Sequence, residues 1–227
     1  MSERTIIVSD IHGCYAELND LFELLQLEAH DSVIAVGDLI VKGIDSAGVL
    51  NRFIEDERLS SVIGNHDLGV LNQWRGEGKV KKQQAACAEE LSGDKSKYEA
   101  YLAALPLFIE LENHVIVHAG LRPGVELKQQ SLEDCTELRT LGADHTSREG
   151  LAWYEIYRGD KPVVFGHWAG TEIRRPRDDP ERAIGIDTGC VYGNRLTAYI
   201  IESKELVSVP ARAMYEKPKK PIDNESN

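Results

Sequence analysis

The sequence has 227 residues, 42% of them hydrophobic and 28% charged, with a formal net charge of −12. That balance fits a globular chain able to bury a core without disulfides. It excludes a general nucleic-acid surface, because phosphates would be repelled, and no apolar run reaches the roughly 18 residues a membrane helix needs.

"RTIIVSDIHG" reads as a short strand ending in a polar loop, and "CYAELNDLFELLQL" as a helix with Leu18, Leu21, Phe22 and Leu25 at helical spacing. "SVIAVGDLIVKG" is a second strand and loop, "IDSAGVLNRFIEDE" the helix after it, and "LSSVIGNHDLG" a third strand and loop. This alternation predicts βαβ units and a mostly parallel sheet. The polar stretch 76–97 is expected to form loops and helix outside the sheet, as a decorated loop or a lid. "KYEAYLAALPLFIEL" reads as a helix stopping at Pro106 and then a strand, "HVIVHAGLRPG" as a strand, "REGLAWYEIYRGD" as a helix and "KPVVFGHWAG" as a strand. Residues 182–212 read as three strands joined by tight turns. Residues 1–212 are expected to form a single domain, and the Pro- and Lys-rich tail 213–227 to be disordered. The N-terminus shows no secretory pattern. Cys14, Cys87, Cys135 and Cys190 form no C-x-x-C pair. A reducing cytoplasm is therefore the expected compartment.

Five apolar runs end in residues of ligand type: Asp10 with His12, Asp38, Asn65 with His66 and Asp67, His118, and His167. Each alone has an ordinary reading, since Asp caps helices, Asn occupies turns and single histidines are commonly structural. Together, at the carboxyl ends of strands, they predict one shared site. Each loop also carries a glycine (Gly13, Gly37, Gly64, Gly120 and Gly166), which allows a sharp turn or a close approach. His30, His114 and His145 fall outside the pattern. Asp, His and Asn with a shared carboxylate are the donors of two divalent metals that clamp an in-line phosphoryl displacement. Such donors suit manganese, and also cobalt, iron, zinc or magnesium. Within "GNHD", Asn65 is the expected ligand, His66 the acid, Asp67 its orienting partner and Gly64 the hinge.

The blocks "SDIHG", "GDLIVKG", "GNHD", "VHAG" and "FGHWAG" resemble, in order, the signature blocks of calcineurin-like metallophosphoesterases, in the phosphoprotein phosphatase branch. The C-terminal third is similar to symmetrical bis(5′-nucleosyl)-tetraphosphatases and their bacterial relatives, and the resemblance extends to about Arg212. It implies an α/β fold, a four-layer sandwich of two mixed β-sheets flanked by helices. It also implies that Asp10 and His12 bind one metal, Asp38 bridges both, and Asn65, His118 and His167 bind the second, with His66 as general acid. In protein phosphatases the second block ends in Asp-Arg-Gly; here Val41 and Lys42 stand in those places. Lys keeps the charge but loses bidentate geometry. Lys42 is the expected phosphate-binding cation, joined by Arg139 or Arg122. Asp187 is expected to support a ligand histidine, and Trp168 to line the site. Trp153, Tyr154 and Tyr157 read as packing residues. Cys190 is assigned no chemistry.

The resemblance implies attack of a metal-held hydroxide on a phosphoanhydride, such as a dinucleoside polyphosphate of the diadenosine tetraphosphate type, polyphosphate or nucleotide-capped RNA. A serine/threonine protein phosphatase and a catalytically dead binding module are the rivals. The expected partner is a phosphorylated small molecule, a nucleotide, with no membrane involved.

Overall fold

Residues 3–79, 81–218 and 222 are described in the computed structural model. Strands β1 (Thr5–Val8), β2 (Ser32–Ala35) and β3 (Leu59–Ser61) lie parallel, joined by helices α1 (Tyr15–Leu25) and α2 (Ser46–Glu55). α1 buries Leu18, Leu21, Phe22 and Leu25, the stripe its spacing predicts. α2 starts where Asp45 accepts the Gly48 N–H at 2.7 Å. A hairpin, β8 (Arg195–Ile200) and β9 (Glu205–Pro210), adds antiparallel to β1 and completes a five-stranded sheet of order β3-β2-β1-β8-β9.

The second sheet has the order β4-β5-β6-β7. Its strands are β4 (Phe108–Glu110), β5 (Val115–Val117), β6 (Val163–Phe165) and β7 (Ala183–Gly185). β5, β6 and β7 are parallel and β4 is antiparallel. Both sheets are therefore mixed, and the mostly parallel sheet read from the alternation is corrected. The three strands expected over 182–212 are also redistributed: β7 belongs to the second sheet, β8 and β9 to the first, and only β8–β9 is a tight hairpin.

Side-chain alternation along the strands builds three cores. Ile7, Ile34 and Tyr199 of the first sheet pack with Ile116, Val164 and Ile184 of the second, gluing the two faces together. Ile6, Val8, Val33 and Ala35 face α1 and α2. Val115, Val163 and Phe165 face a cluster around Trp153, Tyr154 and Tyr157. The helix expected there is a single turn (Trp153–Ile156), because its aromatics wedge into the sheet instead of lining a long helical face. Trp153 is fully buried, and its Nε1–H donates to Ala119 O at 3.1 Å. Trp153→Ala should cost about 3–5 kcal/mol, read as a lowered urea midpoint at unchanged slope.

The polar segment is helical. After α3 (Asn65–Arg75), helices α4 (Lys82–Glu90) and α5 (Lys95–Ala104) stack on it, and Trp74 Nε1–H donates to Ala88 O. Of the tail, residues 213–218 are held against the body, which corrects the expected disorder for that part. The Tyr215 and Glu216 N–H groups donate to Val191 O, and the Tyr215 hydroxyl bonds Glu17 at 2.7 Å. Residues 219–221 and 223–227 lie outside the described residues. Among the described residues, no helix is long and apolar enough to cross a membrane.

Candidate metal centre

Parallel strands expose their carboxyl ends on one side, and both sheets turn those ends to the same cavity. Asp10 and His12 follow β1, Asp38 follows β2, His118 follows β5, His167 follows β6 and Asp187 follows β7. Asn65 and His66 follow β3 as the first residues of α3, with Gly64 as its N-cap, where a polar loop was expected. The backbone there is unusual. His12, Asp38, Val41, Lys42 and His167 all have φ between 50° and 76°. L-residues adopt that region only when the surroundings impose it, and it concentrates at functional sites.

The donors form two compact groups, His12–Asp38–His66 and Asp10–Asp38–His118, and Asp38 belongs to both. His12 Nδ1 lies 3.2 Å from Ile40 O and His118 Nδ1 lies 2.9 Å from Val36 O. A carbonyl only accepts, so both Nδ1 atoms carry protons and both Nε2 lone pairs face the cavity. His118 Nε2 lies 3.1 Å from Asn65 Oδ1 and 3.1 Å from His167 Nδ1, and the latter two are 3.2 Å apart. A lone pair facing an amide oxygen at that distance, inside a buried site, is the arrangement a cation resolves. The residues therefore fit a divalent metal. At the other group, Lys42 Nζ donates to His12 Nε2 at 2.9 Å.

Burial dominates the electrostatics. It pushes Asp38 up to about 7, the nearby Asp187 and Glu137 adding to the shift, and it raises Asp10 well above the usual carboxylate range beside Asp187 and Asp38. Burial holds His118 down at about 4, and it holds His12, His66 and His167 well below their ordinary value, reinforced by Lys42 for His12 and His66 and by Arg139 for His167. The imidazoles are neutral at neutral pH and ready to ligate.

Four expected roles are corrected. Asp67 does not meet His66. Its carboxylate accepts the Ile40 N–H at 3.3 Å and the Gly64 N–H at 3.1 Å, whereas His66 Nδ1 is buried without a hydrogen-bond partner. Adjacent residues in a helical turn point in different directions. Asp187 does not hold a ligand histidine. It lines the cavity and accepts the Gly189 N–H at 3.0 Å, since backbone carbonyls already take the His12 and His118 protons. Arg122 is away from the site, its Nε donating to Asp134 at 2.9 Å beside a second cavity. Trp168 likewise turns into the core, against Arg174 and Tyr154, and is 6% exposed. Arg139 does line the cavity. It donates to Thr146 O and His167 O and keeps a buried, unpartnered Nε. Sequence reasoning missed Lys81, Arg148 and Tyr192, which also line it, because no local pattern marks them. Tyr192 lies under Lys42, with the ammonium 5.3 Å from the ring centre.

Two glycines allow this crowding. A Cβ on Gly64 would stand 2.2 Å from Asp38 N and Oδ1, and one on Gly166 would stand 2.0 Å from Asp10 Oδ1. They serve close approach, one of the two roles expected of them.

The family model for calcineurin-like phosphoesterases matches residues 3–200. The chain belongs to the calcineurin-like phosphoesterases. It is a metallophosphoesterase, hence a hydrolase, of a family that uses divalent metals. The symmetrical bis(5′-nucleosyl)-tetraphosphatase of Vibrio campbellii is 26% identical, over 91% of this chain and 98% of its own. The asymmetrical bis(5′-nucleosyl)-tetraphosphatase PrpE of Bacillus subtilis is 32% identical, over 92% and 96% respectively. A solved structure described as "a putative diadenosine tetraphosphatase" is 36% identical, with a TM-score of 0.80, over 92% of this chain and 93% of that one. The two mixed sheets expected from the resemblance are the fold observed.

Proposed function

We propose that this metallophosphoesterase is a dinuclear metal-dependent phosphohydrolase that cleaves phosphoanhydride bonds of dinucleoside polyphosphates. The observation carrying the proposal is the pair of donor groups sharing Asp38. Asp10, His12, Asp38, Asn65, His118 and His167 would hold the two ions, manganese first among the metals such donors suit. When bound, two divalent cations supply an activated water and offset phosphate charge.

The chain's own groups do the rest. Lys42, on an arm propped by Tyr192, is placed to turn from His12 to a non-bridging phosphate oxygen. Arg139 lines the same cavity as a second cation. His66 would protonate the departing oxygen. It has no carboxylate to hold its proton, so its assistance is weak. A leaving phosphate oxygen is far less basic than a serine alkoxide and needs less help, which supports an anhydride over a phosphoprotein. The free, buried state of all four cysteines supports a reducing, cytoplasmic setting.

Purified protein with manganese should be given diadenosine tetraphosphate and the nucleotides separated by chromatography. ADP alone marks symmetrical cleavage and ATP with AMP asymmetrical cleavage. Either outcome supports the substrate class. Intact tetraphosphate, alongside phosphate released from a phosphoserine peptide, would sink it.

A further inference from the structure

The cavity over the donor groups encloses about 730 Å³, far more than one phosphate needs. Its walls are rich in cations for a chain of net charge −12: Lys42, Lys81, Arg139, Arg148 and Lys217 all line it. Carboxylates line it too (Asp38, Glu133, Glu137, Asp187 and Glu216), so it is no simple basic patch.

The cations are ordered along the site. Lys42 and Arg139 touch the ligand histidines, through His12 Nε2 and His167 O. Lys81 and Arg148 reach the cavity from different segments, one just before α4 and the other after the turn at Thr146. Lys81 is the residue just before α4, whose Gln84 donates to Asn65 O at 3.4 Å at the start of α3, next to His66, which sits edge-on to His12 with ring centres 5.1 Å apart. Arg148 follows the turn at Thr146 that Arg139 holds, and its charge bears on Arg139. Lys81 is thus held on the side of the His12–His66 pair and Arg148 on the side of Arg139 and His167, with Asp38 3.4 Å from His12 Nε2 and 3.6 Å from His118 Nε2 between them. A lone phosphomonoester would use only the middle of this series.

We propose that Lys81 and Arg148 are specificity-determining residues that bind phosphate groups on either side of the scissile phosphorus. The protein then selects substrates whose reacting phosphorus is internal to a phosphate chain. Lys81, on the side of His66, takes the leaving group's phosphate; Arg148 takes the phosphate on the retained side. This rests on the phosphohydrolase reading above.

The test compares manganese-loaded wild type, Lys81→Ala and Arg148→Ala on diadenosine tetraphosphate and on p-nitrophenyl phosphate, whose leaving group carries no phosphate. Each variant should lower the ratio of kcat/KM values, tetraphosphate over p-nitrophenyl phosphate, about tenfold, as expected for one lost charge-assisted contact. Lys81→Arg and Arg148→Lys should recover most of the ratio. An unchanged ratio in both alanine variants overturns the proposal. If the wild type cleaves p-nitrophenyl phosphate but not the tetraphosphate, the substrate reading fails by itself. The outer sites are then read from competition by inorganic tripolyphosphate against orthophosphate, at constant free manganese. Loss of about tenfold in tripolyphosphate's advantage upholds them, and no loss overturns them. Hydrolysis of neither substrate overturns both readings.

Discussion

Asp38→Asn is expected to cost on the order of a thousandfold in kcat/KM with manganese. Asp38 is the one side chain in both donor groups, 3.4 Å from His12 Nε2 and 3.6 Å from His118 Nε2. Asn keeps the shape and an oxygen to accept the His66 N–H, now bonded at 2.8 Å, but loses the charge that two cations would share. Metal per chain, measured by emission spectrometry, should fall with activity. The same variant should make the chelated protein more stable, with a defined pH dependence. Burial raises the folded pKa of Asp38 from an ordinary 3.8 to about 7. Its protonated form therefore favours the fold below pH 4, and that contribution is lost as pH rises through 7. The full span corresponds to at most about 4 kcal/mol. The melting temperature of Asp38→Asn should match wild type near pH 4 and exceed it by about 10 °C near pH 8.5, both in chelator. Full metal content with activity within tenfold of wild type would remove Asp38 from the shared position.

Gly166→Ala should be nearly as damaging, although glycine touches no substrate. The added methyl would meet Asp10 Oδ1 at 2.0 Å and Val36 Cγ2 at 2.5 Å. Asp10 is also pinned from the next residue, whose N–H (His167) lies 3.1 Å from both of its oxygens. Neither neighbour can yield without moving a ligand or a strand of the core. Overpacking should cost about 1–3 kcal/mol, and activity should fall at least a hundredfold, on the order of losing a positioned electrostatic group. Gly93→Ala is the control, since nothing lies within 4 Å of its added Cβ and its φ is ordinary. Wild-type melting and kcat/KM in Gly166→Ala would show that the loop relaxes and that close approach is unnecessary.

The metal-ligand candidates were legible because each depends on a local pattern. An apolar run breaks off, a glycine follows or precedes, and a donor stands at the break; six such donors then meet because parallel strands share one open end. The choice between Arg139 and Arg122 was not legible. Both follow a ligand-bearing strand in sequence, but Asp134, twelve residues beyond Arg122, captures it beside the second cavity. His66 and Asp67 misled in the opposite way. Their adjacency suggested a pair, yet the first turn of α3 sends Asp67 back to the Gly64 N–H and leaves His66 facing the cavity.

By itself, then, the amino-acid sequence determined the strand-end donors, the α1 and α2 faces and the family blocks, all set by contacts or spacings within a dozen or so residues. Tertiary structure alone decided the division of the last three strands between two sheets. It also decided the exile of Arg122 and Trp168 and the arrival of Lys81, Arg148 and Tyr192 at the cavity. Those outcomes depend on which distant side chain reaches a partner first and which backbone N–H groups still lack an acceptor. Such competition is settled only when both sheets have closed on their common core.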